Sequence, residues 1–79
     1  MENFKEKFNA LLTDKLNISL EELKPEAAFF ELGANSLDMV ELIIDFERAF
    51  QITISDDEIE KIITIGDAED YLKRKLGIP

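Results

Sequence analysis

No glycine or proline interrupts the segment from Ser36 to Phe50, and its apolar residues recur at helical rather than strand spacing. Advancing about 100° per residue puts Met39, Leu42, Ile43, Phe46 and Phe50 on one broad face, which is the expected core face. Asn35, just before it, is a good N-cap. Leu37, Val40 and Ile44 form a second apolar stripe well off the first, with Glu41 and Glu47 on its flanks and Arg48 nearby. A helix needs one apolar face to fold. Either this helix is packed on both sides, or the second stripe is a docking ridge with an acidic rim. The flanking charges would be costly under a packed cover, which favours docking.

The rest of the chain reads as partners for that helix. Phe4, Phe8, Leu11, Leu12 and Leu16 predict an amphipathic first helix over about residues 3–16, with Asn17 as its C-terminal cap. Periodicity then fails until Asn35, and Pro25 and Gly33 punctuate a connection longer than the ~12–15 residues usual for structureless loops. Ile18, Leu20, Leu23, Phe29, Phe30 and Leu32 are expected to pin this loop to the core, and Ser19 to Glu22 to cap one helical turn within it. The pattern Ser55-Asp-Asp-Glu58 starts a short third helix over about 56–62, with Ile59, Ile62 and Ile63 facing inward. Thr64-Ile-Gly-Asp67 is a looser version of the same box and opens a fourth helix, carried by Tyr71, Leu72 and Leu76 to a stop at Gly77 and Pro79. Ile52-Thr53-Ile54 has strand propensity but nothing to pair with, and reads as an irregular loop with inward isoleucines. The expected fold is all-α: one domain over 1–79, a small four-helix bundle with a long loop between helices one and two and a short third helix.

Composition removes most enzyme mechanisms. A chain of 79 residues buries only a little over ~60% of its unfolded surface, which leaves little room for a walled active site. It has no Cys and no His, so thiolate nucleophiles, Cys-based zinc sites and the usual general base are missing. The net charge of −9 repels nucleic acid and attracts basic protein surfaces. Residues 36–62 concentrate that charge, with Asp38, Glu41, Asp45, Glu47, Asp56, Asp57, Glu58 and Glu60 against Arg48 and Lys61. A calcium loop among these acids fails on spacing, because no D-x-[DN]-x-[DN]-G run is present. No apolar run approaches the ~20 residues of a membrane span, and MENFKEKFNA is neither a signal nor a transit peptide. The expectation is a monomeric cytoplasmic protein that is not an enzyme, spans no membrane and binds basic protein partners.

Ser36 is ordinary as a helix-start serine, but Asn35 already holds the better capping position and Gly33 allows a tight turn before the helix. A phosphoryl group on an outward Ser36 hydroxyl would meet the open amides and positive dipole end of the helix. The hydroxyl is no hydrolytic nucleophile, since the surroundings are not G-x-S-x-G and no His is available to activate it. It reads as an attachment point served by another enzyme.

Glu31-Leu-Gly-Ala-Asn-Ser36-Leu-Asp-Met-Val-Glu-Leu42 resembles the prosthetic-group motif of acyl carrier proteins, commonly written with Asp-Ser-Leu at its centre. The likeness extends through Glu47 to Phe50, Ile54-Ser-Asp-Asp-Glu58, and Thr64 to Asp67 with Tyr71. It implies that Ser36 receives 4′-phosphopantetheine from coenzyme A and that the terminal thiol of that arm carries acyl chains as thioesters between enzymes. It further implies that Leu37, Asp38, Glu41, Ile44, Glu47 and Asp56 meet basic patches on the carrier-protein synthase (a phosphopantetheinyl transferase) and on acyl-processing enzymes. Cargo would be sheltered near Phe29, Phe46, Ile54, Ile59, Ile62, Ala68 and Tyr71. The chain departs from the family pattern at Asn35 (usually Asp), Phe46 (often Leu), Ile59 (often Ala) and Glu69 (usually apolar). The pathway expected is dissociated fatty acid synthesis. A carrier dedicated to a polyketide, peptide or specialised lipid, and an unmodified acidic adaptor, are the alternatives.

Overall fold

A computed structural model describes residues 3–79, so the first two residues of the N-terminal segment lie outside it. Four helices follow in order: α1 (Phe4–Leu16), α2 (Ser36–Phe50), α3 (Asp56–Ile59) and α4 (Ile65–Leu76). α1 starts where Asn3 accepts a hydrogen bond from the Glu6 amide (2.8 Å) and stops at Asn17, whose φ of 55° turns the chain out of the helix. α2 opens with a reciprocal box. The Asn35 side chain accepts from the Asp38 amide (2.8 Å), and the Asp38 carboxylate accepts from the Asn35 amide (3.1 Å). Ser55 with Glu58 and Thr64 with Asp67 cap α3 and α4 in the same way.

Packing follows the helical face expected of α2. Leu42, Ile43 and Phe46 are buried, and Met39 and Phe50 lie partly buried against them. α1 meets this face through aromatic rings: Phe8 stacks on Phe46 at 5.7 Å and on Phe4 at 5.6 Å, and Phe4 lies 5.3 Å from Phe50. Phe46 is thus an inner member of a ring stack between two helices. Lys15 adds an ion pair from α1 to Asp45 at 3.3 Å, and Lys5 reaches Glu69 of α4 at 2.9 Å.

The long connection contains two 3₁₀ turns, Leu20–Glu22 and Phe30–Leu32, and is pinned by backbone as much as by side chains. The Phe29 amide donates to Ile63 O, the Ile65 amide to Ala27 O and the Gly66 amide to Pro25 O (3.0, 3.0 and 2.9 Å), around an isolated antiparallel bridge of Ala28 with Thr64. The last contact needs a glycine, because a Cβ on residue 66 would sit 3.0 Å from the Pro25 oxygen.

Three expectations are corrected. α3 ends at Ile59 rather than 62, because Lys61 and Ile62 donate to carbonyls three residues back, and this tighter winding carries the chain toward the Thr64 cap. Ile59 and Ile62 stay on the inner side, three residues apart, while Ile63 is turned outward. Leu20 and Phe30 do not pin the long loop: both are exposed, and Phe29, with Leu23 and Leu32 packed behind it, does that work. Ile54 is buried in an irregular loop, as its lack of a strand partner predicts.

Candidate functional site

Ser36 occupies the first position of α2 and is exposed. The cap is Asn35, so the Ser36 hydroxyl is not needed for capping, and among the described residues the Ser36 and Leu37 amides find no protein acceptor. Asp38, the carboxylate nearest in sequence, is turned back onto the Asn35 amide. An esterified Ser36 therefore fits without displacing an internal bond, and a phosphodiester there would face unpaired donors at the positive end of a 15-residue helix.

Beside the serine runs an exposed apolar stripe: Leu37 at 64% accessible, Val40 at 56% and Ile44 at 39%. No second layer packs on this face, so the two-sided burial weighed against docking is not what the chain does. The acidic residues around it differ in their freedom. Glu41 is exposed and lies 3.8 Å from Lys15; Asp56 is exposed in the first turn of α3. Glu47 is partly buried, and its carboxylate accepts from the Ile54 amide at 2.9 Å, fastening the loop after α2 to the helix.

A groove of ≈ 570 Å³ starts at Ser36 and runs between α2 and the α3 region. Phe29, Ile54, Ile59 and Ile62 of the expected cargo set line it, together with Met39, Val40, Ile43 and Ile44. Phe46, Ala68 and Tyr71 do not. Phe46 and Ala68 are wholly enclosed in the core. Tyr71 lies on the far side of Ile62 and lines a different, open cleft of ≈ 830 Å³ that includes Lys61, Arg74 and Lys75 but not Ser36. Of the two, the smaller groove is the functional candidate, since Ser36 lines it.

Burial, and then the nearby Glu58 carboxylate, push the Tyr71 hydroxyl up to about 12; the two groups approach without completing a hydrogen bond, and the hydroxyl has no partner. The Ser55 amide, then Tyr71 and the Ser55 hydroxyl, hold Glu58 below the usual carboxylate range. Glu69 is also away from the groove. Partial burial pushes its carboxyl up, but Lys5 and Lys73, at 2.9 and 3.3 Å, together hold it below its ordinary value.

Phe30 (64% accessible) and Ile63 (57%) line the groove as exposed residues, against the expectation that both face the core, and Glu60, expected at no site, lines it too. A signal was present in the doublets Phe29-Phe30 and Ile62-Ile63, because neighbours in tightly wound backbone point to different sides. In each doublet the first residue is buried and the second exposed.

Comparison with known proteins agrees with this geometry. A family model described as a phosphopantetheine attachment site matches residues 6–72. The chain is 49% identical over 71 residues to an acyl carrier protein of Nitratidesulfovibrio vulgaris, covering 89% of this chain and 93% of that one. It is 44% identical over 77 residues to an acyl carrier protein of Porphyromonas gingivalis, covering 96% and 99%. The crystal structure of an acyl carrier protein from Thermotoga maritima superposes with a TM-score of 0.78 at 36% identity, covering 92% of this chain and 86% of that one.

Proposed function

The chain belongs to the acyl carrier protein family, whose members carry a 4′-phosphopantetheine group, and from that premise we propose that Ser36 is its attachment point and that the chain ferries acyl thioesters between enzymes of dissociated fatty acid synthesis. The observation that carries the proposal is the division of labour at the start of α2, where Asn35 caps and an exposed Ser36 is left over. Loading forms a phosphodiester between Ser36 Oγ and the phosphopantetheine phosphorus and breaks the pyrophosphate bond of coenzyme A, with adenosine 3′,5′-bisphosphate as the leaving group; the partner transferase removes the hydroxyl proton. The group supplies what the chain lacks, a thiol on a flexible arm. The chain supplies an address. Leu37 and Ile44 are the apolar anchors, and Asp38, Glu41, Glu47 and Asp56 are the acidic rim that draws in basic partner surfaces. Cargo rests in the groove over Phe29, Ile54, Ile59 and Ile62, and the carrier works as a single-domain monomer.

Intact mass spectrometry tests the assignment. Incubation with coenzyme A and a broad-specificity transferase should add one phosphopantetheine to the wild type and none to Ser36→Ala, with circular dichroism unchanged. An unmodified wild type across several transferases returns the chain to the role of an unmodified adaptor.

A further inference from the structure

The two edges of the exposed stripe on α2 differ in charge. Glu47, Asp56 and Glu60 line the groove on its α3 side, and no Lys or Arg lines that groove. Glu41, Asp45 and Arg48 follow one another four and three residues apart, so they form one row along the opposite edge. There α1 adds a cation of its own. Lys15 Nζ lies 3.3 Å from Asp45 Oδ2 and 3.8 Å from Glu41 Oε1. A lysine in the last turn of α1 suits the helix end without any partner on another helix. This one nevertheless reaches across to two carboxylates, of which the nearer is partly buried and the farther exposed.

We propose that Lys15 is an internal competitor for Glu41: it stands beside the seat that a partner's Lys or Arg would take, and so limits how strongly the docking surface draws a basic protein. The inference rests on the reading of α2 as the docking helix. Its partner is a protein surface rich in Lys and Arg, which complements a chain of net charge −9. The distances give the competition its form. Lys15 is anchored on Asp45 and only leans on Glu41, so an incoming cation can take Glu41 without undoing the pair of Lys15 with Asp45. Asp45 is thereby a positioning residue. It holds the lysine back, and without it Lys15 is free to close the 3.8 Å gap to Glu41. Ion pairs at exposed sites add little to folding, so the arrangement acts chiefly on encounter with partners.

Loading rates with a transferase and coenzyme A, read by intact mass at low salt and at about 0.5 M, test this. Lys15→Gln should load about threefold or more faster than wild type at low salt, and no faster at about 0.5 M, where the field is screened. Lys24→Gln makes the same change in net charge at an exposed lysine with no ion pair among the described residues, and should gain less than about half as much. Asp45→Asn should load about twofold or more slower than wild type. Lys15→Gln/Asp45→Asn has the wild-type net charge and should load at least as fast as wild type. Circular dichroism is read on every variant, and Lys15→Met, which keeps the aliphatic stem, should repeat the gain of Lys15→Gln. The same ranking should appear in retention on an immobilised hexaarginine peptide, which needs no attachment at Ser36. A wild type that gains no mass thus removes the attachment reading alone, while the ranking on the peptide still decides the role of Lys15. The proposal is overturned if Lys15→Gln gains no more than Lys24→Gln, if its gain persists at about 0.5 M, or if the double variant is as slow as Asp45→Asn.

Discussion

Glu47 shows how one side chain can be read correctly in type and incompletely in use. Its position beside the exposed stripe suggested a rim charge, but its carboxylate also holds the Ile54 amide and so fixes the loop that floors the groove. A hydrogen bond to a charged acceptor in a partly buried setting contributes about 1–3 kcal/mol, and its loss strands a donor. Glu47→Ala should therefore lower unfolding free energy by about 1–3 kcal/mol in urea titrations, whereas Glu41→Lys, at an exposed site, should leave stability within about 0.5 kcal/mol and act on the salt-dependent rate of partner association. Equal stability losses in the two would remove the loop-fastening role. Glu69 makes a similar point. Its charge, a departure from the family pattern, is paired with Lys5 and Lys73 and lies away from the groove.

Among the elements, helices one, two and four are legible because each carries a periodic apolar face, and the second and fourth add a local start signal, Asn35 and Thr64, that caps as its type dictates; Asn3, inside the span expected for helix one, turns out to be its cap. The third was legible only at its start. Ser55 and Glu58 announce α3, but its end is set by the need to reach the Thr64 cap with Ile59 and Ile62 still inside, a tertiary demand with no local signature. The long loop was the least legible, because its anchors are backbone bonds to residues 63–66, and backbone donors look alike in every sequence. The site followed the same division. Ser36 stood out through its neighbours, while the groove depends on how the loop meets α4, so three of seven expected cargo residues fell elsewhere and two bordering ones went unseen. The glycine in this clamp gives a direct check: Gly66→Ala pushes a Cβ to 3.0 Å from the Pro25 carbonyl oxygen and should cost about 1–3 kcal/mol by urea denaturation. A neutral result would mean that the loop shifts freely and is not held by this contact.

For the whole molecule, charge is the dominant bulk property. The surplus acid is gathered along α2 and the α3 region, where Lys15 pairs with Asp45 and approaches Glu41, while Asp38, Glu47 and Glu58 accept from backbone amides and Asp56, Asp57 and Glu60 are exposed to water. Such a distribution draws basic partners from a distance but opposes compaction. Raising ionic strength from low salt to about 0.5 M shortens the screening length to a few ångströms, so the melting temperature should rise in differential scanning calorimetry. An unchanged midpoint would show that self-repulsion adds little to the free energy of the folded state.

The vacancy of Ser36 as a cap reaches further than the proposed attachment itself. Since the serine lends no bond to the helix start, esterifying it takes none away, while the phosphodiester gains the open amides and the positive end of α2, a gain that only the folded chain can offer. By linkage, what the fold gives the arm the arm returns to the fold, about 0.3–1 kcal/mol. The loaded carrier is thus slightly harder to unfold than the unloaded one.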